Sequence, residues 1–318
     1  MAIKIVFAGT PEFAVPTLQA LINSKHSVVA VYTQPDRHSG RGQHVHASPI
    51  KECALKHNLP VYQPESLRDA SAVSELRSLA FDLLVVVAYG QILSRDILDI
   101  PNYGCMNVHA SLLPRWRGAA PIQHAILKGD AVSGVTIMQM SEGLDTGDML
   151  LKKSCDIVSG ESSKHLHDRL SSLGAEALIE TLSQLESQTL NPIVQNETEA
   201  TYAKKLTKHD GLIRWEQSAE EIARHVHAFN PWPVCFTHWK GDVFRVWNAS
   251  AKQGSSEHPP GTVVHVDDDA AEVVAGSGIL VLREIQLPGK RAMSVKDFLN
   301  AHRSEIIPGQ TQFGSQSC

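Results

Sequence analysis

The first half of this sequence alternates short apolar runs with amphipathic segments of helical length. Five runs are mostly apolar and β-branched, at positions 3–8, 28–33, 83–88, 105–109 and 134–140. Segments with helical spacing lie between them, at 16–24, 49–57, 70–80 and 120–127. Apolar strands that do not alternate with polar residues are typical of a parallel sheet covered on both faces by helices. We therefore predict an α/β, doubly wound domain with a mostly parallel sheet.

The second half changes character after a long amphipathic segment. Residues 161–187 carry apolar side chains at helical spacing, and the polar stretch that follows has no periodicity and contains Asn191-Pro192. From about residue 210 the pattern predicts one helix and then short strands broken by Gly, Pro and Asp. We predict an N-terminal domain at 1–189, a linker at 190–208 and a smaller, OB-like C-terminal β-barrel at 209–318.

Composition and missing motifs exclude several classes of protein. No apolar run approaches the roughly 20 residues that a membrane-spanning helix needs. The five cysteines include no C-x-x-C pair, so we expect a cytoplasmic protein without a metal site. The sequence contains no G-x-G-x-x-G, P-loop or G-x-S-x-G motif. Nothing therefore indicates binding of a dinucleotide, binding of a nucleoside triphosphate at a P-loop, or a serine hydrolase. A net charge of −5 argues against indiscriminate coating of nucleic acid.

Two polar side chains stand at the end of the run at 105–109. Asn107 and His109 are two residues apart, so in a strand both project from the same face. Open α/β sheets bind ligands beyond the carboxyl ends of their strands, where the chain also places 9–11 and 89–90. Both side chains can donate hydrogen bonds to one carbonyl oxygen. The alternative is that they only cap the strand and satisfy the backbone of the turn.

A second polar loop, at 141–148, follows the next predicted strand. It offers carboxylates at Asp145 and Asp148, and glycines beside Asp145 let the backbone approach a ligand closely. A carboxylate next to a histidine would orient the imidazole and stabilise its cationic form, as general acid catalysis requires. An ordinary turn aspartate is the alternative, and the spacing alone leaves both open.

These residues belong to longer strings that resemble the folate-dependent formyltransferases. Asn107-x-His109 with Ser111-Leu112-Leu113-Pro114, and Gly143-Leu144-Asp145-Thr146-Gly147, are similar to the catalytic signature of that family. Further strings resemble the branch of the family that acts on initiator tRNA: 7–14, Pro35-Asp36-Arg37 with Gly40-Arg41-Gly42, 201–206 and Asn230-Pro231-Trp232-Pro233. The resemblance extends over essentially the whole chain.

The resemblance implies transfer of a formyl group from 10-formyltetrahydrofolate to the amino group of methionine esterified to initiator tRNA. It implies that Asn107, His109 and Asp145 are catalytic and that Ser111, Leu112, Leu113 and Pro114 line the folate site. Attack of the amine on the formyl carbon gives a tetrahedral oxyanion, which Asn107 and protonated His109 could stabilise. Asp145 would hold His109 and help to relay the proton.

Contacts with tRNA phosphates are expected from basic groups. The candidates are Arg37, Arg41, Lys204, Lys205, Lys208, Lys290, Arg291 and Lys296. After Gly40-Arg41-Gly42 the family usually continues with lysines, whereas this chain has Gln43 and His44. We expect a monomer whose partners are methionyl initiator tRNA and the folate co-substrate, with no membrane partner.

Two other functions fit parts of the sequence. The family resemblance also allows formyl transfer to the amine of a ribonucleotide or of an amino sugar nucleotide; the C-terminal barrel and the basic linker favour tRNA. A noncatalytic RNA-binding protein that keeps the fold is an alternative of another class. The presence of Asn107, His109 and Asp145 together disfavours it.

Overall fold

Strands and helices alternate from the amino terminus onward. The computed structural model describes residues 2–39 and 44–314. Up to residue 203 its strands are β1 (Lys4–Gly9), β2 (Ser27–Tyr32), β3 (Arg37–Ser39), β4 (His44–His46), β5 (Val61–Tyr62), β6 (Leu83–Val87), β7 (Cys105–His109), β8 (Arg117–Gly118), β9 (Val132–Gln139), β10 (Met149–Asp156) and β11 (Tyr202–Ala203). The helices are α1 (Val15–Ile22), α2 (Pro49–Lys56), α3 (Ala70–Ser78), α4 (Arg95–Leu98), α5 (Pro121–Lys128) and α6 (Ser163–Glu186).

A mostly parallel sheet organises this part of the chain, as predicted. Its seven strands run in the order β10-β9-β7-β6-β1-β2-β5. The central strands β2, β1, β6 and β7 are parallel, β5 joins β2 in parallel, and β9 pairs with β7 antiparallel. The carboxyl ends of β1, β6 and β7 therefore meet at one edge, at Gly9, Val87 and His109.

Apolar side chains on both faces explain why these runs form central strands. All five residues of β6 are buried. On one face, Val6 of β1 and Val86 of β6 belong to a buried cluster with Leu76 of α3. On α6, a Cβ added at Gly174 would lie 2.7 Å from Cγ1 of Val108, so glycine lets this helix pack directly on β7. That packing supports the strand that carries Asn107 and His109.

The chain divides into two units. The N-terminal unit comprises Met1–Pro121, Val132–Cys155 and His167–Ala203. The C-terminal unit comprises Ile122–Ala131, Asp156–Leu166 and Lys204–Cys318. The domain boundaries given above stay a prediction.

An antiparallel sheet forms the centre of the C-terminal unit and confirms the predicted change of fold class. Its strands are β12 (Cys235–Trp239), β13 (Asp242–Lys252), β14 (Val263–Val266), β15 (Ala271–Val274), β16 (Ile279–Gln286) and β17 (Met293–Ser294), with helices α7 (Ala219–Ala228) and α8 (Val295–His302). The order is β12-β13-β16-β15-β14, and β17 pairs with β16. Phe244 packs on Phe298 and on Phe313, with ring centroids 5.5 Å and 4.9 Å apart. These buried aromatic rings belong to the core of this unit, together with aliphatic side chains such as Leu280 and Ile285.

Helix α7 begins and packs for reasons visible in the sequence. Ser218 and Glu221 form a capping box, because each side chain accepts a hydrogen bond from the other's backbone N–H. Ile222 and Val226, four residues apart, are buried on one face of the helix. His225 lies between them in sequence, and its Nε2 is 2.8 Å from the Asp210 carbonyl oxygen.

His225 should make the C-terminal unit sensitive to acid. Burial lowers the pKa of His225 below its usual value of 6.5. Below about pH 6.5 the unfolded chain therefore binds more protons than the folded unit, and stability falls as the pH falls. We expect His225→Gln, which can donate a similar hydrogen bond but does not titrate, to lose less stability between about pH 7 and about pH 5.5. Thermal unfolding at both pH values measures this, and a decrease as steep as that of the wild type would contradict it.

Three further features bear on function. Within residues 2–39 and 44–314 no helix is long and apolar enough to cross a membrane. The same residues contain no group of three or more His, Cys, Asp or Glu side chains that could hold a metal ion. Among the described residues, Cys53, Cys105, Cys155 and Cys235 form no disulfide, and Cys318 lies outside these residues.

Candidate active site

Strand β7 presents Asn107 and His109 at the carboxyl edge of the parallel sheet. The strand is held on both sides, because Asn107 is in register with Val86 of β6 and with Met138 of β9. Asn107 is half-buried, and His109 is 7% exposed. Strand alternation places both side chains on one face of the sheet. The strand thus points an amide and an imidazole in the same direction, as the sequence predicts.

His109 contacts protein atoms through both ring nitrogens. Nε2 lies 2.9 Å from the Trp116 carbonyl oxygen, and since a carbonyl can only accept, Nε2 carries a hydrogen in this arrangement. Nδ1 lies 3.7 Å from Oδ2 of Asp145. A proton on Nδ1 would make the ring a cation beside this carboxylate. The two side chains are only 8% and 15% exposed, so solvent screens their interaction weakly.

Asp145 is held in place by its own loop and by neighbouring backbone. Its Oδ2 accepts a hydrogen bond of 2.8 Å from the Gly118 N–H. The residue has φ +54°, a left-handed conformation that few residues with a side chain adopt, Asp and Asn more often than the others. Gly147 presses the loop against β9, because a Cβ there would lie 1.6 Å from the Gln139 carbonyl oxygen. The structure therefore brings His109 and Asp145 together, although 36 positions separate them in the sequence.

The loop that follows β7 contains the four residues expected to line the folate site. Ser111 and Leu113 are each 1% exposed, Pro114 is also buried, and Leu112 is half-buried. The Ser111 hydroxyl donates to the Arg115 carbonyl oxygen at 2.6 Å. Three of the four side chains therefore shape the loop from within, and Leu112 is the most accessible of the four.

The ends of the neighbouring strands complete this edge of the sheet. Thr10, after β1, donates from its hydroxyl to the Tyr89 carbonyl oxygen at 3.1 Å. Gln34, after β2, donates from Nε2 to the same oxygen at 3.2 Å. The segments at 9–11 and 89–90 thus lie together, as predicted for a crevice beyond the carboxyl ends of parallel strands.

The buried Arg117 and Gln195 form a cluster with Glu197 that contacts the loop of Asp145, and the sequence does not predict it. Arg117 is fully buried and donates to Oε1 of Gln195 from Nε at 3.0 Å and from Nη2 at 2.8 Å. It also forms a bidentate pair with Glu197, at 2.9 Å and 2.7 Å, and this guanidinium lowers the pKa of the Glu197 carboxyl. The sequence shows Arg117 as one of two arginines in the loop after β7, the other being the exposed Arg115. Nothing local marked Gln195 as its partner.

Most of the basic residues proposed for tRNA lie on the C-terminal unit. Lys204, Lys205 and Lys208 are exposed and surround the buried Leu206. The backbone of this segment is held at Lys204, whose carbonyl oxygen is 3.2 Å from His124 Nε2.

Lys290, Arg291 and Lys296 are also exposed on this unit, and Lys296 pairs with Asp269 at 3.3 Å. Arg37 belongs to β3 in the N-terminal unit. Arg41 and Gln43 lie outside the described residues.

Comparison with protein families finds matches in both halves of the chain. The family described as "Formyl transferase" matches residues 2–182, and "Formyl transferase, C-terminal domain" matches residues 205–303. A methionyl-tRNA formyltransferase of Coxiella burnetii is 54% identical over 314 residues, which cover 99% of this chain and 100% of the relative. A methionyl-tRNA formyltransferase of Hydrogenovibrio crunogenus is 51% identical and covers 97% of this chain and 98% of its own length.

Solved structures show the same fold at low sequence identity. A sugar 3N-formyl transferase solved with dTDP and 5-N-formyl-THF has a TM-score of 0.64 and 18% identity, covering 92% of this chain and 100% of its own. HypX from Aquifex aeolicus in complex with tetrahydrofolic acid has a TM-score of 0.63 and 16% identity, covering 100% of this chain and 51% of its own.

Proposed function

The chain belongs to the formyl transferase family, and on that premise we propose that it transfers a formyl group from 10-formyltetrahydrofolate to the amino group of methionine esterified to initiator tRNA. The observation that carries this proposal is the match to methionyl-tRNA formyltransferases over 99% of this chain and 100% of the relative. The match therefore extends over the C-terminal domain at 205–303 as well as the domain that carries the candidate catalytic residues. Folate as the formyl donor is supported by family neighbours solved with 5-N-formyl-THF and with tetrahydrofolic acid.

The geometry of the three candidate catalytic residues fits the chemistry of acyl transfer to an amine. The methionine amine attacks the formyl carbon, and the carbonyl oxygen becomes an oxyanion in the tetrahedral intermediate. The Asn107 amide donates to that oxygen, and the positive charge of protonated His109 stabilises it. When the intermediate collapses, the bond to the folate nitrogen breaks and the formyl group stays on the methionine nitrogen.

Proton movement completes the reaction. The attacking amine loses one proton and the departing folate nitrogen gains one, so the overall reaction needs no net acid or base. Asp145 holds the Nδ1 side of His109 and accepts the proton from the amine, directly or through water. Returning it to the leaving nitrogen regenerates the site and releases tetrahydrofolate and formylmethionyl-tRNA.

The loop at 111–114 is the proposed folate subsite. The buried Ser111 hydroxyl and the buried Leu113 side chain fix its shape, and Leu112 packs on β9, where a Cβ added at Gly134 would lie 2.5 Å from its Cδ2. A rigid loop of this kind places the formyl donor with little loss of entropy on binding. We propose a cytoplasmic monomer that works on these two substrates.

Substrate competition tests the proposed function. The purified chain is incubated with 10-formyltetrahydrofolate and, in separate reactions, with methionyl initiator tRNA, free methionine, a ribonucleotide amine or an amino sugar nucleotide. We expect kcat/KM for the charged tRNA to exceed the others by several orders of magnitude, because the C-terminal unit adds contacts that only tRNA can make. Faster transfer to a nucleotide amine would support the alternative substrate class, and binding of tRNA without transfer would support a noncatalytic RNA-binding protein.

Replacing Lys204, Lys205 and Lys208 together with alanine should weaken tRNA binding and flatten its dependence on salt. Each lost contact with a duplex phosphate lowers the slope of log affinity against log salt by up to about 0.9. Folate affinity should stay unchanged. Binding titrations at several salt concentrations measure the slope. The matched control replaces three other exposed lysines, Lys4, Lys25 and Lys56, and so removes the same charge; an equal slope change in both triple variants would reject the linker contact.

A further inference from the structure

Gln195 lies in the polar stretch that follows α6, and its side chain contacts the loop that carries Asp145. Its amide nitrogen donates to the Asp145 carbonyl oxygen at 2.8 Å and to the Gly147 carbonyl oxygen at 2.7 Å. Both hydrogens of one side-chain amide are therefore used on the carbonyl oxygens of the two residues that flank Thr146. Gln195 is 4% exposed, so water does not readily replace these bonds.

The partners of Gln195 fix which way its amide points. A guanidinium has only donors, so the atom of Gln195 that faces Arg117 must be the oxygen. The nitrogen then faces the two loop carbonyls, which can only accept. Glu197 compensates the buried charge of Arg117 through its bidentate pair. Glu197 thus orients Arg117, and Arg117 orients the amide of Gln195.

The backbone of residues 116–118, the segment that contains Arg117, contacts His109 and Asp145. The Trp116 carbonyl oxygen contacts His109 Nε2, and the Gly118 N–H donates to the Asp145 carboxylate. The Arg117 side chain, between these two backbone contacts, holds Gln195. The backbone of Arg117 is itself fixed, because its N–H donates to the Thr201 carbonyl oxygen at 2.8 Å. His109, Asp145 and Gln195 are thus held by three consecutive residues.

We propose that Gln195 is a positioning residue for formyl transfer, which acts by holding the backbone of Asp145 so that its carboxylate stays beside His109. This inference rests on the function proposed above. Asp145 has a left-handed backbone, which Asp adopts more readily than most residues with a side chain, and the bonds from Gln195 hold it in that conformation. The loop around it is exposed at Glu142, Gly143 and Leu144.

Replacing Gln195 with methionine or with glutamate tests this role. Methionine keeps the approximate volume and removes the hydrogen bonds. Glutamate keeps the acceptor for Arg117 but cannot donate to the two carbonyls. For both variants we expect kcat to fall about 10- to 100-fold, as displacements of about 1 Å do, with KM for tRNA and folate within about threefold of the wild type. The matched control is Asn196→Ala, which removes a neighbouring side chain that caps its own turn at Thr198.

A double-mutant cycle separates positioning from a general effect on folding. If Gln195 acts through Asp145, adding Gln195→Met to Asp145→Asn should lower kcat by less than about threefold beyond Asp145→Asn alone. A full additional loss in that background would overturn the proposal, and so would unfolding of both Gln195 variants in thermal melts. A wild-type enzyme that does not formylate methionyl-tRNA would reject the proposed function itself. If the wild type is active and the Gln195 variants have the same kcat as Asn196→Ala, only the positioning role is rejected.

Discussion

His109→Ala is expected to lower kcat by on the order of 10²- to 10⁴-fold while the chain stays folded. That corresponds to about 3 to 5 kcal/mol of lost transition-state stabilisation. The variant removes both the imidazole that we propose stabilises the developing oxyanion and the partner of Asp145 at 3.7 Å. Single-turnover formylation at saturating folate and tRNA isolates this chemical step from product release.

The control for this variant is His57→Ala, which removes an imidazole that is exposed on the same unit. It should keep wild-type turnover. The folate affinity of His109→Ala should change little, because the loop at 111–114 is held by its own contacts. A His109→Ala enzyme within threefold of the wild-type rate would mean that the site is wrongly placed.

Asp145→Asn should reduce kcat by on the order of 10²- to 10³-fold. The amide has nearly the same size as the carboxylate and can still accept the Gly118 N–H bond. It cannot accept the proton of the attacking amine or stabilise a cationic His109. Rate constants from single turnovers at several pH values measure the effect.

Asp148→Asn is the matched control, because Asp148 is a half-buried carboxylate of the same loop. Its contact with β9 is made through its backbone carbonyl oxygen, which accepts from the Gln139 N–H at 2.9 Å and is kept in the variant. We expect activity within a few fold of the wild type. Equal losses at both positions would indicate that the loop needs negative charge in general and would contradict a specific role for Asp145.

Strands that are buried on both faces could be predicted from the local pattern of apolar residues. The predicted and observed bounds of β7 are identical, because its apolar residues end abruptly at the polar His109. The pattern of the sequence does not predict β10. Its exposed face carries Lys152, Ser154 and Asp156, and its other face is only half-buried from residue 151 onward, so its strand character depends on neighbours in the sheet.

The candidate site was predictable only in part, for a related reason. Asn107 and His109 share a strand, so a period of two places them together without knowledge of the rest of the fold. The loop at 141–148 offered Asp145 and Asp148 alike, and only the resemblance to the formyl transferases, the family to which the chain belongs, singled out Asp145. Gln195 could not be found in this way, because Arg117 lies 78 residues away and no periodic pattern links residues so distant in sequence.

The measurement that tests this account most directly is the detection of formylmethionine released from initiator tRNA after reaction with 10-formyltetrahydrofolate. Wild-type protein and Asp145→Asn are compared in the same assay, with mass spectrometry of the released amino acid. We predict formylation of the charged tRNA by the wild type and at least about a hundredfold slower formation of the same product by the variant. No formylmethionine from the wild type, or equal rates from both proteins, would contradict the account.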